Sequence, residues 1–277
     1  MQRQCWENME INVQRRGKSV LGASIDALSW DDAIRQIVNW GAERASRYVC
    51  ICNVHSVVTT TRDPEFQSVI NAADMSTPDG APIAWALRKM GYPDQERING
   101  PDLMWKYLGE AERLGHLVFF YGSTETTLAK LRENLNRYFP ALRIAGMHSP
   151  HFCEVDPEQD QAEIDMINHS AANVAFIGLG CPKQEKWMAA HRGRVNATMV
   201  GVGAAFDYHA GVIRRAPLWW QNNGLEWLYR IISEPRRLFK RYLVTNTLFV
   251  IGFAKQLIAV KIAGKNDSSS SGRGKAA

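Results

Sequence analysis

Short apolar runs alternate with segments of helical periodicity along most of the chain. Four such runs occupy residues 48–54, 117–122, 174–180 and 198–203. Near-continuous apolar runs of this length are typical of parallel strands that are covered on both faces. Between them, apolar residues recur at helical spacing, as in residues 30–43, which Ser29 can cap. The alternation predicts an α/β fold with a doubly wound, mostly parallel sheet of Rossmann-like type.

The last part of the chain has a different pattern, in which aromatic, basic and apolar residues are mixed. Residues 243–260 form an apolar run that contains Thr245, Asn246, Thr247, Lys255 and Gln256. A membrane-spanning helix needs about 20 mostly apolar residues, so the run is better interpreted as an interfacial helix. An amphipathic helix that packs on its own body or on another subunit is the alternative. Pro235 is expected to interrupt the helix.

These patterns divide the chain into four parts. Residues 1–18 are predicted to be a flexible leader and residues 19–223 an α/β domain. Residues 224–262 are predicted to be a basic, amphipathic helical appendage, and the Ser/Gly-rich residues 263–277 a disordered tail. Within the α/β domain, residues 20–25, 74–77 and 142–147 are predicted to be shorter strands, and residues 156–169 a solvated acidic helix.

Composition narrows the possible partners and compartments. The net charge of the 277 residues is +5, but from Gly224 onwards there are ten Lys/Arg and three acidic residues, so the preceding body is net −2. A nucleic-acid partner would have to bind the appendage alone, whereas an anionic membrane surface suits a basic segment beside an apolar one. The odd number of cysteines and the lack of Cys-x-x-Cys spacing argue against structural zinc and disulfides. With no signal-peptide core near Met1, the body is expected in the cytosol.

Polar clusters follow the predicted strands, where ligands bind in open α/β sheets. Glycine turns at Gly122 and Gly180 each lead into a helix, and their N–H groups are expected to favour a phosphate. The chain has neither a Gly-x-Gly-x-x-Gly turn nor a Gly-x-x-x-x-Gly-Lys-Ser/Thr loop. Both absences weaken the dinucleotide-binding and P-loop interpretations.

Asp79 is the best candidate for a general base, because it follows a strand and precedes Gly80, which lets a substrate approach the backbone. Pro-Asp-Gly is also favoured turn chemistry, so a plain turn remains the alternative. Arg97 is either an anion clamp or a solvated surface charge. The chain has no Asp-x-Asp pair, and its histidines lack metal-ligand spacing. No metal site and no cofactor are therefore predicted.

Eight stretches in this order resemble the WecG/TagA/CpsF glycosyltransferase family of bacteria. They are Asn53, Ala73-Asp74 with Pro78-Asp79-Gly80, Glu96-Arg97-Ile98-Asn99-Gly100, Phe119-Phe120-Tyr121-Gly122, Gly178-Leu179-Gly180-Cys181-Pro182-Lys183-Gln184-Glu185, Gly201-Val202-Gly203-Ala204-Ala205-Phe206-Asp207, Arg215-Ala216-Pro217 with Trp219, and Gly224-Leu225-Glu226-Trp227-Leu228-Tyr229-Arg230 with Glu234-Pro235-Arg236-Arg237. Together they cover about residues 20–242. Their number and order make the resemblance far more specific than any single motif.

The resemblance implies an inverting, metal-independent transferase at the cytoplasmic face of the cell membrane. It implies transfer of a sugar from a UDP-sugar to a polyprenyl-diphosphate-linked sugar in the synthesis of cell-surface polysaccharide. Both an N-acetylmannosamine-type and a glucose-type donor are compatible with it. The alternative is a non-catalytic nucleotide-sugar-binding protein docked on the membrane, and a homo-oligomer is possible in either case.

The resemblance also implies roles for particular residues. Asp79 matches the family's proposed general base. The implied substrate-binding positions are Asn53, Arg97, Gln184, Asp207, Arg230 and Arg237. Of these, Asp207 is on the nucleotide side, and Arg230 and Arg237 belong to an appendage that folds over the donor diphosphate. Ile51 stands where the family often has threonine, and Ser56 is a candidate to supply the missing hydroxyl.

Overall fold

The structure is a computed structural model that describes residues 15–150 and 156–271, without the side chains of Asn222, Arg237 and residues 263–271. Its strands are β1 (Gly17–Val20), β2 (Ala23–Asp26), β3 (Tyr48–Cys52), β4 (Met75–Pro78), β5 (Leu117–Gly122), β6 (Arg143–His148), β7 (Val174–Gly178) and β8 (Thr198–Gly201). Its helices are α1 (Trp30–Ala42), α2 (Val54–Thr60), α3 (Pro64–Ala72), α4 (Ala81–Lys89), α5 (Gly100–Leu114), α6 (Glu125–Tyr138), α7 (Pro157–His169), α8 (Lys183–His191), α9 (Ala205–His209), α10 (Leu218–Asn222), α11 (Glu226–Ser233) and α12 (Pro235–Ser271).

Six strands form one parallel sheet in the order β4-β3-β8-β7-β5-β6. Alternate residues of each strand face opposite sides, because the side-chain period of a strand is two. On β3, Tyr48, Cys50 and Cys52 therefore enter one apolar core, and Val49 and Ile51 enter the other. Helices cover both faces, so the predicted doubly wound α/β fold is confirmed.

The start of the fold differs from the prediction. Residues 20–25 were predicted to be one strand, but they contribute to a hairpin in which β1 and β2 pair antiparallel. Leu21 and Gly22 form the turn with positive φ angles of 52° and 90°, which glycine adopts without strain. Gly17 and Lys18, which were assigned to the leader, already lie in β1; residues 1–14 of that leader lie outside the described residues.

The appendage consists of α11 and the long helix α12, with the boundary at the predicted Pro235. One side of α12 packs on the body, where Leu238, Thr245, Phe249 and Phe253 are buried. The other side leaves apolar residues exposed, namely Leu243, Val250, Ile251, Ile258, Val260 and Ile262. The segment Leu238–Ile262 is long and apolar enough to cross a membrane by length and composition alone. The helical backbone continues to Ser271, through a segment for which the sequence predicted disorder from residue 263.

Gln256 joins α12 to the hairpin at the other end of the chain. Its Oε1 accepts a hydrogen bond from the Leu21 N–H at 2.9 Å, and its Nε2 donates to the Ser19 carbonyl at 2.6 Å. Gly252 lies against Leu21, where an added Cβ would approach the leucine side chain to 3.1 Å. A polar residue that made the apolar run marginal as a membrane span therefore anchors the helix to the body.

Replacing Phe253 by alanine is expected to lower the free energy of unfolding by about 3–5 kcal/mol. The ring is buried, stacks on Phe249 at 5.8 Å and meets Trp85 edge-on at 5.6 Å. Urea unfolding measures the change, and limited proteolysis tests whether α12 is released. The exposed Ile258 on the same helix provides the matched control, since Ile258→Ala should change stability by no more than about 0.5 kcal/mol. Equal effects of the two substitutions would contradict the docking of α12 on the body.

Candidate active site

One cavity of about 770 Å³ lies over the carboxyl ends of the four adjacent strands β4, β3, β8 and β7. This is a size typical of small-molecule sites. Asp79, Asn53, Gly203 and Gly180 follow these strands in that order, and all four line the cavity. Helices α4, α11 and α12 supply the remaining walls, so the body and the appendage share one site.

Asp79 lies half-buried at the floor of the cavity. Its N–H donates to the Cys52 carbonyl at 3.0 Å, which ties it to the end of β3. The Gly80 N–H donates to its carboxylate. Gly80 has a φ of 83°, a conformation that side chains rarely adopt. Asp79 is thus held in place by backbone contacts at the point where the sequence predicted a base.

Burial raises the pKa of Asp79 from the ordinary 3.8 to about 6. The positive charges of Arg97 and Arg230 oppose this rise, and the negative charge of Glu226 adds to it. The Arg97 Nη1 donates to Glu226 Oε2 at 2.8 Å in a partly buried ion pair. Arg97 belongs to the body and Glu226 to α11, so this pair fastens the appendage beside Asp79. Arg97 is therefore a partly buried, ion-paired residue of the cavity lining, and its role as an anion clamp stays a prediction.

Arg230 faces the cavity from α11 with its guanidinium over the Tyr208 ring at 5.8 Å. Its Nε is buried and has no hydrogen-bond partner among the described residues. A buried guanidinium nitrogen without a partner is costly, and an anionic ligand would remove that cost. Arg241 of α12 also lines the cavity. The side chain of Arg237 lies outside the described residues.

Asn53 caps α2 with its side-chain oxygen, which accepts from the Ser56 N–H at 3.2 Å and lies 3.4 Å from the Ser56 hydroxyl. Both side chains line the cavity, and so does Ile51. The hydroxyl nearest to Asn53 therefore comes from Ser56, one helical turn away, rather than from position 51. His55 adds a ring whose Nδ1 is buried without a partner among the described residues, and burial lowers the pKa of that ring.

Gln184 is buried at the cavity floor, with 4% of its surface exposed. Its Oε1 accepts from the Gly180 N–H at 3.2 Å and from the Gly203 N–H at 3.0 Å. The glycine turn at Gly180 was predicted to offer its N–H groups to a phosphate. That expectation is wrong for Gly180 itself, because Gln184 already occupies its N–H.

Two predicted positions lie beside the cavity rather than in its lining. The turn at Gly122 follows β5, one strand beyond the four under the cavity. Close packing requires glycine at position 122, since a Cβ there would come within 2.6 Å of the Gly178 backbone. Asp207 lies on α9 next to Tyr208, and Tyr208 is the residue of the two that lines the cavity.

Several residues of the site were not singled out from the sequence. Glu226 and Glu185 lie inside motifs that were recognised, but nothing in the pattern distinguishes them from solvated acids. Arg241 was not among the predicted substrate-binding positions, although it lines the cavity. No group of three or more His, Cys, Asp or Glu residues suited to a metal ion occurs in the described parts of the chain.

A doubly wound sheet with a cavity at the carboxyl ends of its strands, lined by a carboxylate of raised pKa and by arginines, defines a class of α/β protein with a small-molecule site. The comparison with known proteins gives the particular family. Residues 18–262 match the Glycosyl transferase WecG/TagA/CpsF family, and the chain belongs to it. The predicted resemblance is thereby confirmed.

A curated relative from Bacillus spizizenii is 34% identical over 178 residues, which cover 64% of this chain and 67% of that protein. It is named an N-acetylglucosaminyldiphosphoundecaprenol N-acetyl-beta-D-mannosaminyltransferase. That name describes a transfer to a sugar carried on undecaprenyl diphosphate.

The raised pKa of Asp79 predicts a pH-dependent cost to stability. Well below the ordinary pKa of 3.8 the carboxyl is protonated in both the folded and the unfolded state, and it does not affect stability. Above about pH 6 it is charged in both states, and the buried charge lowers stability. Asp79→Asn removes the charge, so at pH 8 the variant should be more stable than the wild type by up to about 3 kcal/mol. The difference should shrink towards pH 4.

Urea unfolding of both proteins at a series of pH values measures that difference. Asp165→Asn, on the exposed side of α7, is the control for removing a carboxylate without burial. A stability difference between Asp79→Asn and wild type that stays constant from pH 4 to pH 8 would contradict the burial of the charge.

Proposed function

We propose that the protein is an inverting hexosyltransferase that moves a sugar from a UDP-sugar to an undecaprenyl-diphosphate-linked sugar in the synthesis of cell-envelope polysaccharide. The observation that carries the proposal is Asp79, a carboxylate with a raised pKa that faces Arg97 and Arg230 across the cavity. Family membership and the name of the curated relative support the acceptor class. The donor nucleotide is inferred from the family resemblance and from the cations that face the cavity.

The chemistry depends on the position of Asp79. Its ionised carboxylate takes the proton from an acceptor hydroxyl as that oxygen attacks C1 of the donor sugar. The bond between C1 and the diphosphate oxygen breaks, and UDP leaves with the bonding electrons. Attack from the face opposite the leaving group inverts the configuration at C1. A base with a pKa near 6 is mostly ionised at neutral pH and still basic enough to accept a proton in the transition state.

The departing diphosphate gains negative charge, and the arginines are placed to stabilise it. Arg230 has a buried nitrogen in need of a partner, and Arg241 lines the same cavity from α12. Charge-assisted hydrogen bonds from guanidinium groups are among the stronger polar contacts. In this proposal the cations of the chain do the work that a divalent metal does in other transferases, so the reaction proceeds without one.

The outer face of α12 suits a protein that works on a lipid-linked acceptor. Along the same length of helix, one set of residues is buried against the body and another set of apolar residues is exposed. The helix can therefore rest in a membrane surface while it stays attached to the domain. The basic residues of the appendage add attraction to anionic lipids. We place the protein at the cytoplasmic face of the membrane, peripherally bound.

The proposal is tested by UDP release in the presence of a lipid-diphosphate-linked N-acetylglucosamine acceptor and EDTA. The donors to compare are UDP-N-acetylmannosamine, UDP-N-acetylmannosaminuronate and UDP-glucose. Asp79→Asn should lower kcat by roughly 10²- to 10⁴-fold, the usual contribution of a general base. Asp165→Asn should leave it unchanged. UDP binding without turnover for every donor would support the non-catalytic alternative, and full activity of Asp79→Asn would remove Asp79 as the base.

Arg230→Ala is expected to lower kcat/KM for the donor by roughly 10²-fold, as is typical for the loss of one electrostatic contact to developing charge. Arg236 lies further along the appendage, is exposed, and offers the matched control. Steady-state kinetics of Arg230→Ala and Arg236→Ala in the same assay measure the contrast. Similar losses in both variants would show that the appendage acts through its overall charge rather than through Arg230.

A further inference from the structure

The side chain of Gln184 joins two turns that border the cavity. Its single carbonyl oxygen accepts from the N–H of Gly180, after β7, and from the N–H of Gly203, after β8. The amide lies against Gly201, where a Cβ would approach the Gln184 Nε2 to 3.1 Å. Both lone pairs of the oxygen are therefore used by the backbone, and the spacing of the two turns depends on the orientation of this one amide.

An amide can rotate by half a turn and exchange its oxygen and nitrogen with little change in shape. In the rotated form the NH₂ group of Gln184 would face two N–H donors, and both hydrogen bonds to the turns would be lost. The two glycine N–H groups favour the observed orientation, and a contact at the nitrogen end of the amide adds to that preference. The Gln184 Nε2 donates to Glu185 Oε1 at 2.9 Å. An ionised carboxylate only accepts hydrogen bonds, and a protonated one still has a carbonyl oxygen that accepts. Glu185 therefore pairs with the NH₂ end of Gln184, whose oxygen is already occupied by the two glycine N–H groups.

Glu185 is 1% exposed, although it is an acid in the first turn of α8. Its Oε2 is buried and has no full-strength hydrogen-bond partner among the described residues. Besides Gln184, the carboxylate interacts with the N–H of Glu185 itself and with the thiol of Cys181, which is a weak donor. The Cys181 Sγ in turn lies 3.7 Å from the Ser56 hydroxyl beside Asn53.

The other titratable groups that face the Glu185 carboxylate are the Cys50 and Cys52 thiols of β3, and Arg241 of α12 acts on Cys181. Burial raises the pKa of Glu185 from 4.5 to about 7. Keeping a carboxylate in such a place is costly, and a buried apolar residue would fill the space more cheaply. What the carboxylate provides, and an apolar residue would not, is an acceptor for the Gln184 NH₂ group.

We propose that Glu185 is a positioning residue that fixes the orientation of the Gln184 amide, and that Gln184 serves the reaction through the two glycine turns rather than by touching the substrate. The proposal deepens the transferase function above and rests on it for the kinetic part. The turns at Gly180 and Gly203 line the same cavity as Arg230. Their spacing decides whether a donor bound there lies in line with Asp79.

The test uses three variants that differ in the hydrogen bonds they allow. In Glu185→Leu the amide of Gln184 has no acceptor. In Glu185→Gln two amides face each other, and both can rotate. In the exchanged pair Gln184→Glu with Glu185→Gln, the carboxylate at 184 accepts from both glycines, and the amide at 185 donates to it. The direction of every hydrogen bond is then fixed again, with the carboxylate and the amide in exchanged positions.

Residue-resolved amide hydrogen exchange of Gly180 and Gly203 is the first readout. Protection of both N–H groups should fall roughly 2- to 10-fold in Glu185→Leu, as expected for the loss of one ordinary hydrogen bond. It should fall less in Glu185→Gln and return close to the wild-type value in the exchanged pair. Glu163→Gln is the matched control, because Glu163 is also a buried acid but lies on α7, bound to Tyr121 and Gln159. It should leave the two glycines unaffected.

Kinetics on the same proteins form the second readout, and kcat/KM for the donor should parallel the protection of the two glycines across the series. The proposal is overturned if the exchanged pair protects the glycines no better than Glu185→Leu does. It is also overturned if protection returns without activity, because Gln184 would then contact the substrate itself. If the wild-type protein transfers no sugar from any donor, the proposed function fails, while the exchange measurements still decide whether Glu185 orients Gln184.

Discussion

Parallel pairing of the six strands is the constraint on which the rest of this structure depends. Because every strand runs in the same direction, every strand ends at the same edge, and the segments after β4, β3, β8 and β7 meet there. Those segments carry Asp79, Asn53, Gly203 and Gly180. The sheet supplies only backbone direction, and the chemistry comes from the residues just beyond each strand. The appendage then closes the edge by bringing Glu226 and Arg230 against Arg97 and Asp79.

The site holds two acids whose pKa values are raised by burial, and they differ in their neighbours. Asp79 faces two arginines and open cavity, where a hydroxyl can reach it. Glu185 is almost fully buried where it borders the cavity, and it faces an amide and thiols. The same physical cause therefore raises the pKa of an acid that opens to the cavity and of an acid that is almost fully buried. Geometry rather than pKa separates the roles proposed for them.

Much of the fold was predictable, because strands buried on both faces have an apolar pattern that few other elements share. Asp79, Arg97 and Arg230 were predicted from motifs that keep their order along the chain. The burial of acids could not be predicted. Glu163 belongs to a stretch that looks like a solvated helix, yet Tyr121, His148 and Gln159 surround it. Gln256 looked like an interruption of an apolar run, and only the hairpin at β1 and β2 shows why it is there. Such residues find their partners across more than a hundred positions, or on another element, and one-dimensional periodicity contains no trace of them.

The order of strands in the sheet also determines when the sheet and the cleft at its edge can be completed during synthesis. Strand β3 is made early, but one of its two neighbours is β8, about 150 residues later, at positions where Tyr48 meets Met199. Until β8 emerges from the ribosome, β3 has one edge without a partner, and such contacts between distant segments form slowly. Arg230 is made later still. A nascent chain thus carries Asp79 and Arg97 for most of its synthesis without Arg230, and the cleft gains its full set of charges only as the last helices fold back. Chaperones that shield bare strand edges would matter most in that interval.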